Sequence, residues 1–157
     1  MKSLVEFLDE QAAQQEATGG RTKSLREAWV GNVNRVVLEM EKWLRSADHH
    51  DVLNIFVHEV DNREEGIGHY AALGITVWLG AREVKVAPVA RFVMAAALFG
   101  FPAKPEGRID ISNGESQYSL YHMNDCPEGR WLMVGEGKGY VPFDQQNFEM
   151  AMQDLLG

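Results

Sequence analysis

The chain holds a single cysteine, Cys126, among its 157 residues. An intramolecular disulfide is therefore excluded, and stability must come from packing. It also lacks any apolar run of membrane length. The longest, Val89 to Phe101, spans thirteen residues and is interrupted by Arg91 and Gly100, so no bilayer crossing is expected. Basic side chains are the minority, fifteen Lys and Arg against twenty-three Asp and Glu, for a formal net charge of −8. That balance opposes a nucleic-acid backbone and an anionic lipid surface, and it favours a basic partner. Neither nucleic acid nor membrane is expected as a direct ligand. The N-terminal residues Met1-Lys2-Ser3-Leu4 turn acidic instead of entering an apolar stretch, which points to a cytoplasmic address.

What is present describes a globular α+β protein. At 45% hydrophobic and 24% charged residues, a chain of this length buries roughly two-thirds of its unfolded surface without metal or disulfide staples. The charge is not segregated: residues 1–78 carry eight basic against thirteen acidic side chains, and residues 79–157 carry seven against ten. No internal repeat is present. One domain over residues 1–157 is expected, with residues 1–20 as a loosely docked N-terminal helix.

Ser3 followed by Glu6 forms a capping box, which predicts a helix to about Ala17. Its stripe of Leu4, Phe7 and Leu8 is continued only by alanines, and Thr18-Gly19-Gly20 is expected to break it. A second, long helix follows from Thr22 to about Ser46, where Leu25, Trp29, Val33, Val36, Val37, Met40, Trp43 and Leu44 recur at steps of three and four. Then come strands: Val52 to Val60, a polar turn from Asp61 to Gly66, His69 to Leu79, and a third through Val84 and Val86 ended by Pro88. Residues 89–101 are compatible with helix or strand. Arg108 to Ser112 and Glu115 to Met123 flank Asn113-Gly114, a hairpin signal that places Ile109 opposite Tyr118 and Ile111 opposite Ser116. Strands from Arg130 to Val134 and Tyr140 to Phe143 precede a closing helix capped by Asp144. The pattern is two N-terminal helices, an antiparallel meander of about six to seven strands, and a C-terminal helix.

No strong catalytic motif is found. His58 and His69, with Asp61 in the intervening turn and Glu59 beside it, are the best metal candidates, because two imidazoles and a carboxylate from paired strands suit zinc or iron. The simpler reading is of half-buried strand histidines. His122 and Cys126 stand four apart across a turn, a spacing open to a Cys–His nucleophile pair but more simply read as a passive thiol. His49-His50 reads as an exposed linker at a helix end. Gly135-Glu136-Gly137-Lys138-Gly139 lacks the helix and the Ser/Thr of a phosphate loop, and Glu136 repels anions. No cofactor is expected.

Surface aromatics remain. Trp78, Tyr118, Tyr121, Trp131, Tyr140 and Phe143 concentrate on the strands, and aromatic groups of this kind are enriched at protein contacts. The leading expectation is a non-enzymatic accessory protein, chaperone-like or immunity-like, that binds a protein partner or a second copy of itself through an aromatic-bearing sheet face. The rival is a small metal- or cysteine-dependent enzyme built on His58, His69 and His122. A third reading is an apolar-ligand cavity beneath Phe92, Met94, Leu98 and Phe99.

Overall fold

The N-terminal helix is continuous where two were expected. In a computed structural model that describes residues 1–91, 101, 105–123, 129–135 and 139–157, less the side chains of residues 17 and 18, α1 runs over Leu4–Ala47. The capping box forms as the sequence predicts: Glu6 N–H donates to Ser3 Oγ at 3.2 Å, and Ser3 N–H donates to the Glu6 carboxylate at 3.3 Å. Gly19 and Gly20 do not interrupt the helix. Each costs about 1 kcal/mol relative to alanine, but a helix already nucleated on both sides adds one hydrogen bond per residue through that stretch. At its other end Asp48 accepts from Val52 N–H and Leu53 N–H, both at 2.9 Å. Those two donors hold the Asp48 carboxyl below its ordinary value and turn the chain into the sheet.

Seven antiparallel strands follow among the described residues, in unbroken chain order: β1 (Asn54–Glu64), β2 (Gly68–Leu79), β3 (Arg82–Ala90), β4 (Pro105–Ser112), β5 (Gln117–Met123), β6 (Arg130–Val134) and β7 (Tyr140–Pro142). The closing helix α2 spans Gln145–Leu156, with Asp144 Oδ1 accepting from Asn147 N–H at 2.8 Å. The α+β architecture, the meander and the C-terminal helix agree with the sequence pattern.

Three details differ. The first hairpin is longer than expected, because Asp61 through Glu64 continue the ladder and pair with Gly68 through Ala71; polar residues on an edge strand keep their side chains in water while their backbone pairs. Strand β3 passes Pro88 and reaches Ala90 through a register shift between those residues, and a bulge is where a ladder accommodates a missing donor. The β4–β5 register pairs Ile109 with Leu120 and Ile111 with Tyr118, a slide of two residues from the expected pairing. The cause is Asn113, whose Oδ1 accepts from Glu115 N–H and Ser116 N–H and so closes a longer loop. An even slide leaves every side chain on its expected face. The open assignment for residues 92–100 lies outside the described residues, as does the cavity beneath Phe92, Met94, Leu98 and Phe99.

Both helices pack on one sheet face. Trp29, Val33, Val37 and Met40 from α1 and Phe148, Ala151 and Leu155 from α2 close over Ile75, Val77, Val84, Val86, Ile109, Ile111 and Leu120. The other face carries a smaller cluster, Tyr121, Met123, Leu132 and Val134, with Phe101 packed against it. Close approach of α1 to β4 depends on Gly107, where any Cβ would overlap the six-membered ring of Trp29.

Candidate functional site

Burial divides α1 in two. From Trp29 onward one face is in the core, whereas nearly every side chain described from Leu4 to Leu25 is exposed. Leu4 is 70%, Val5 69%, Phe7 49% and Leu8 53% exposed, so four large apolar groups crowd the free end of a helical arm about 30 Å long. The arm is anchored where it meets the sheet. Arg26 Nη1 donates to the carbonyl of Ile67 at 3.0 Å, and Trp29 Nε1 donates to the Tyr70 hydroxyl at 3.1 Å. The Tyr70 hydroxyl faces Glu64 Oε2 at 3.5 Å, and the same carboxylate oxygen accepts the Arg91 backbone N–H at 2.9 Å. Burial raises the Tyr70 pKa, and proximity to Glu64 adds to it. This junction ties the root of the arm to the β1–β2 hairpin and to the chain just past β3.

The histidine candidates do not gather. In the continuous β1–β2 ladder His58 stands opposite Gly74 and His69 opposite Arg63. Alternation puts His58 on the hairpin face it shares with Phe56 and Thr76, stacked on Phe56 with ring centroids 5.4 Å apart and hydrogen-bonded to Thr76 Oγ1 at 2.9 Å. Asp61 and His69 share the opposite face as an exposed pair at 3.5 Å. Among the described residues no group of three His, Cys, Asp or Glu side chains is placed to hold a metal.

His122 faces the helices, 6% exposed, beneath α1. Its ring meets the edge of Trp131 at 4.9 Å, and Trp131 lies 6.0 Å from Trp29. Burial lowers its pKa below the ordinary imidazole value; Glu106 opposes that shift, and Arg91 and Arg35 reinforce it. Gly129, at φ +68°, approaches the ring so closely that a Cβ there would overlap it. A cleft of about 760 Å³ opens beside the ring toward Asn32, Arg35 and Glu39 of α1. Cys126 lies outside the described residues, so the pairing of His122 with it is not placed.

The aromatics of the expected binding face are divided between the two sides of the sheet, with Phe143 packed against the main core. Cross-strand pairing places Tyr118 and Trp131 on the helix side. There the Tyr118 hydroxyl donates to Asp154 at 2.8 Å. Trp78, Tyr121 and Tyr140 lie on the other side, with Tyr121 buried against Phe101 at 5.1 Å and Tyr140 5.4 Å from the same ring. A further apolar hollow of about 560 Å³ lies between the end of α1 and α2, lined by Trp43, Leu53, Leu79, Met152 and Leu156. Arg82 crosses its rim to the Leu156 carbonyl.

The residues that sequence reasoning underweighted are Leu4, Val5, Phe7 and Leu8. Their signal was present in an apolar stripe that alanines fail to continue, but exposure on a long continuous helix is a tertiary property. No helix among the described residues is long and apolar enough to cross a membrane. Comparison with protein-family models, with curated proteins and with solved structures returned no match.

Proposed function

We propose that the protein is a non-enzymatic, protein-binding accessory protein whose binding element is the helical arm of residues 4–25. The observation that carries this reading is the exposure of Leu4, Val5, Phe7 and Leu8 together at the arm's free end. An amphipathic helix that buries its apolar side chains in a partner's groove is a recurrent recognition mode, and isolated helices gain little stability from propensity alone. The aromatic groups of the sheet serve the two cores in this reading, with Tyr140 and Trp78 left at the margin. The net charge of −8 favours a basic partner surface around the apolar contact. An accessory role, chaperone-like or immunity-like, accords with the size and charge of the chain.

The test is recovery of a stoichiometric partner, identified by mass spectrometry, when the protein is cross-linked in its native host. Wild type is expected to retain the partner, and a Phe7→Asp, Leu8→Asp variant to lose it while keeping the near-ultraviolet dichroism of its buried tryptophans. Equal recovery by both proteins would move the binding element elsewhere. Recovery of no protein, including a second copy, would sink the reading. The rival reading, a metal- or cysteine-dependent enzyme, draws no support from His58, Asp61 and His69, which are divided between the two faces of the hairpin.

A further inference from the structure

We infer that the cleft between α1 and the β5–β6 ladder binds a free aromatic α-amino acid, its two charges on Arg35 and Glu39 and its ring reaching His122 and Trp131. The cleft lies beside the packed half of α1, apart from the arm, and its occupancy does not depend on the arm's role.

The walls come from two elements. Asn32, Arg35, Val36 and Glu39 lie within about two turns of α1, and His122 and Trp131 face them as a cross-strand pair. The volume of about 760 Å³ is in the range of small-molecule sites. His122 is the buried polar group of the cleft, 6% exposed, and its ring nitrogens have no hydrogen-bond partner among the described residues. A buried nitrogen left in that state is costly unless something polar can reach it. No fully enclosed side-chain nitrogen without a partner is found among the described residues, so the ring keeps its access, and the cleft it lines supplies it. Gly129 leaves that edge of the ring uncovered, since a Cβ there would overlap Nε2.

The mouth selects the ligand class. Arg35 and Glu39 stand one helical turn apart, a spacing at which opposite charges can pair, yet neither has an ion-pair or hydrogen-bond partner among the described residues. A simple anion would satisfy Arg35 and be repelled by Glu39, and a simple cation would do the reverse. An α-amino acid carries both charges on one carbon and answers both side chains. Asn32 adds an amide donor on the same wall. Deeper in, burial holds the His122 imidazole neutral at neutral pH, which leaves it one N–H donor and one acceptor nitrogen. A phenol O–H or an indole N–H can donate to that acceptor while its ring lies against Trp131 and Val36, a contact worth more than its buried area alone. Tyrosine and tryptophan combine a flat ring with such a donor, and phenylalanine lacks the donor.

Amide NMR titrations of the full chain test the assignment. L-tyrosine and L-tryptophan are expected to bind with a dissociation constant of about 100 µM and to shift the resonances of Arg35, Glu39, His122 and Trp131. Tyramine, which lacks the carboxylate, and the deaminated tyrosine analogue, which lacks the ammonium, are each expected to bind at least about tenfold more weakly. L-phenylalanine is expected to bind about fivefold more weakly than L-tyrosine. Arg35 and Glu39 are exposed on α1, so their glutamine variants are expected to keep the near-ultraviolet dichroism of the wild type. Arg35→Gln should abolish the preference for L-tyrosine over tyramine, and Glu39→Gln the preference over the deaminated analogue. Absence of binding by both L-tyrosine and L-tryptophan at about 2 mM overturns the inference, as do shifts that lie away from the cleft. Equal affinity for L-tyrosine and any of the three analogues overturns it too, and so do preferences that survive both glutamine variants.

Discussion

His122 is a buried imidazole whose chemistry departs from that of its free side chain. Burial under α1 disfavours the imidazolium, and the nearby Arg91 and Arg35 add to that effect against Glu106. Its ordinary value is 6.5, and the folded value lies below it. In the window between the two, the unfolded chain binds a proton that the folded chain does not. Stability from this group is therefore complete above the ordinary value and is lost as pH falls through it toward the folded value. The expected outcome is a urea midpoint that drops between about pH 7.5 and 5.5, with a contribution of up to about 1.4 kcal/mol per pH unit from one proton. His122→Gln is expected to lower stability at the higher pH and to flatten that drop. An undiminished drop in the variant would assign the pH dependence to other groups. Partner binding by the arm is expected to be unchanged in this variant, since His122 lies under the packed half of α1.

At the scale of elements, the arm and the core half of α1 answer to different physics. A Cβ added at Gly19 or Gly20 meets nothing within 4 Å beyond the helix's own backbone and the adjacent residues, so replacing both by alanine adds no clash and removes about 1 kcal/mol of helix penalty at each position. The double variant is expected to gain helical ellipticity at 222 nm while the domain keeps its unfolding midpoint. A midpoint raised by the full helix gain would show that arm and domain unfold together. This division also marks how much of the fold could be read in advance. The 4–3 spacing from Leu25 to Leu44 and the alternation in β4 and β5 are local and strong, and the core elements lie where those patterns put them. The helix through Gly19-Gly20 was not legible, because local breaking signals were outweighed by a cap on one side and a docked helix on the other. The two-residue slide at Asn113 was not legible either, since Asn-Gly fits both a tight turn and the longer loop that Asn113 Oδ1 closes. For the site, residue types were legible and convergence was not. Whether His58 meets His69 depends on where the hairpin turns, and four extra rungs of ladder separated them.

Across the whole molecule, one main core joins α1 from Trp29 onward, six of the seven strands and α2, and the arm stands outside it. A cooperative transition is therefore expected for residues 26–157, with the arm opening at lower free energy than the core. Proteases cut such regions first. Of the basic residues in the arm, Arg21 and Lys23 lie next to the glycine pair and before the anchor at Arg26, whose guanidinium is held by the Ile67 carbonyl. Limited trypsin digestion is expected to cut first after Arg21 or Lys23 and to leave a core fragment that unfolds at the intact protein's urea midpoint. Earlier cleavage in β1 or α2 would place the weakest element in the sheet or its cover and would contradict the division of α1.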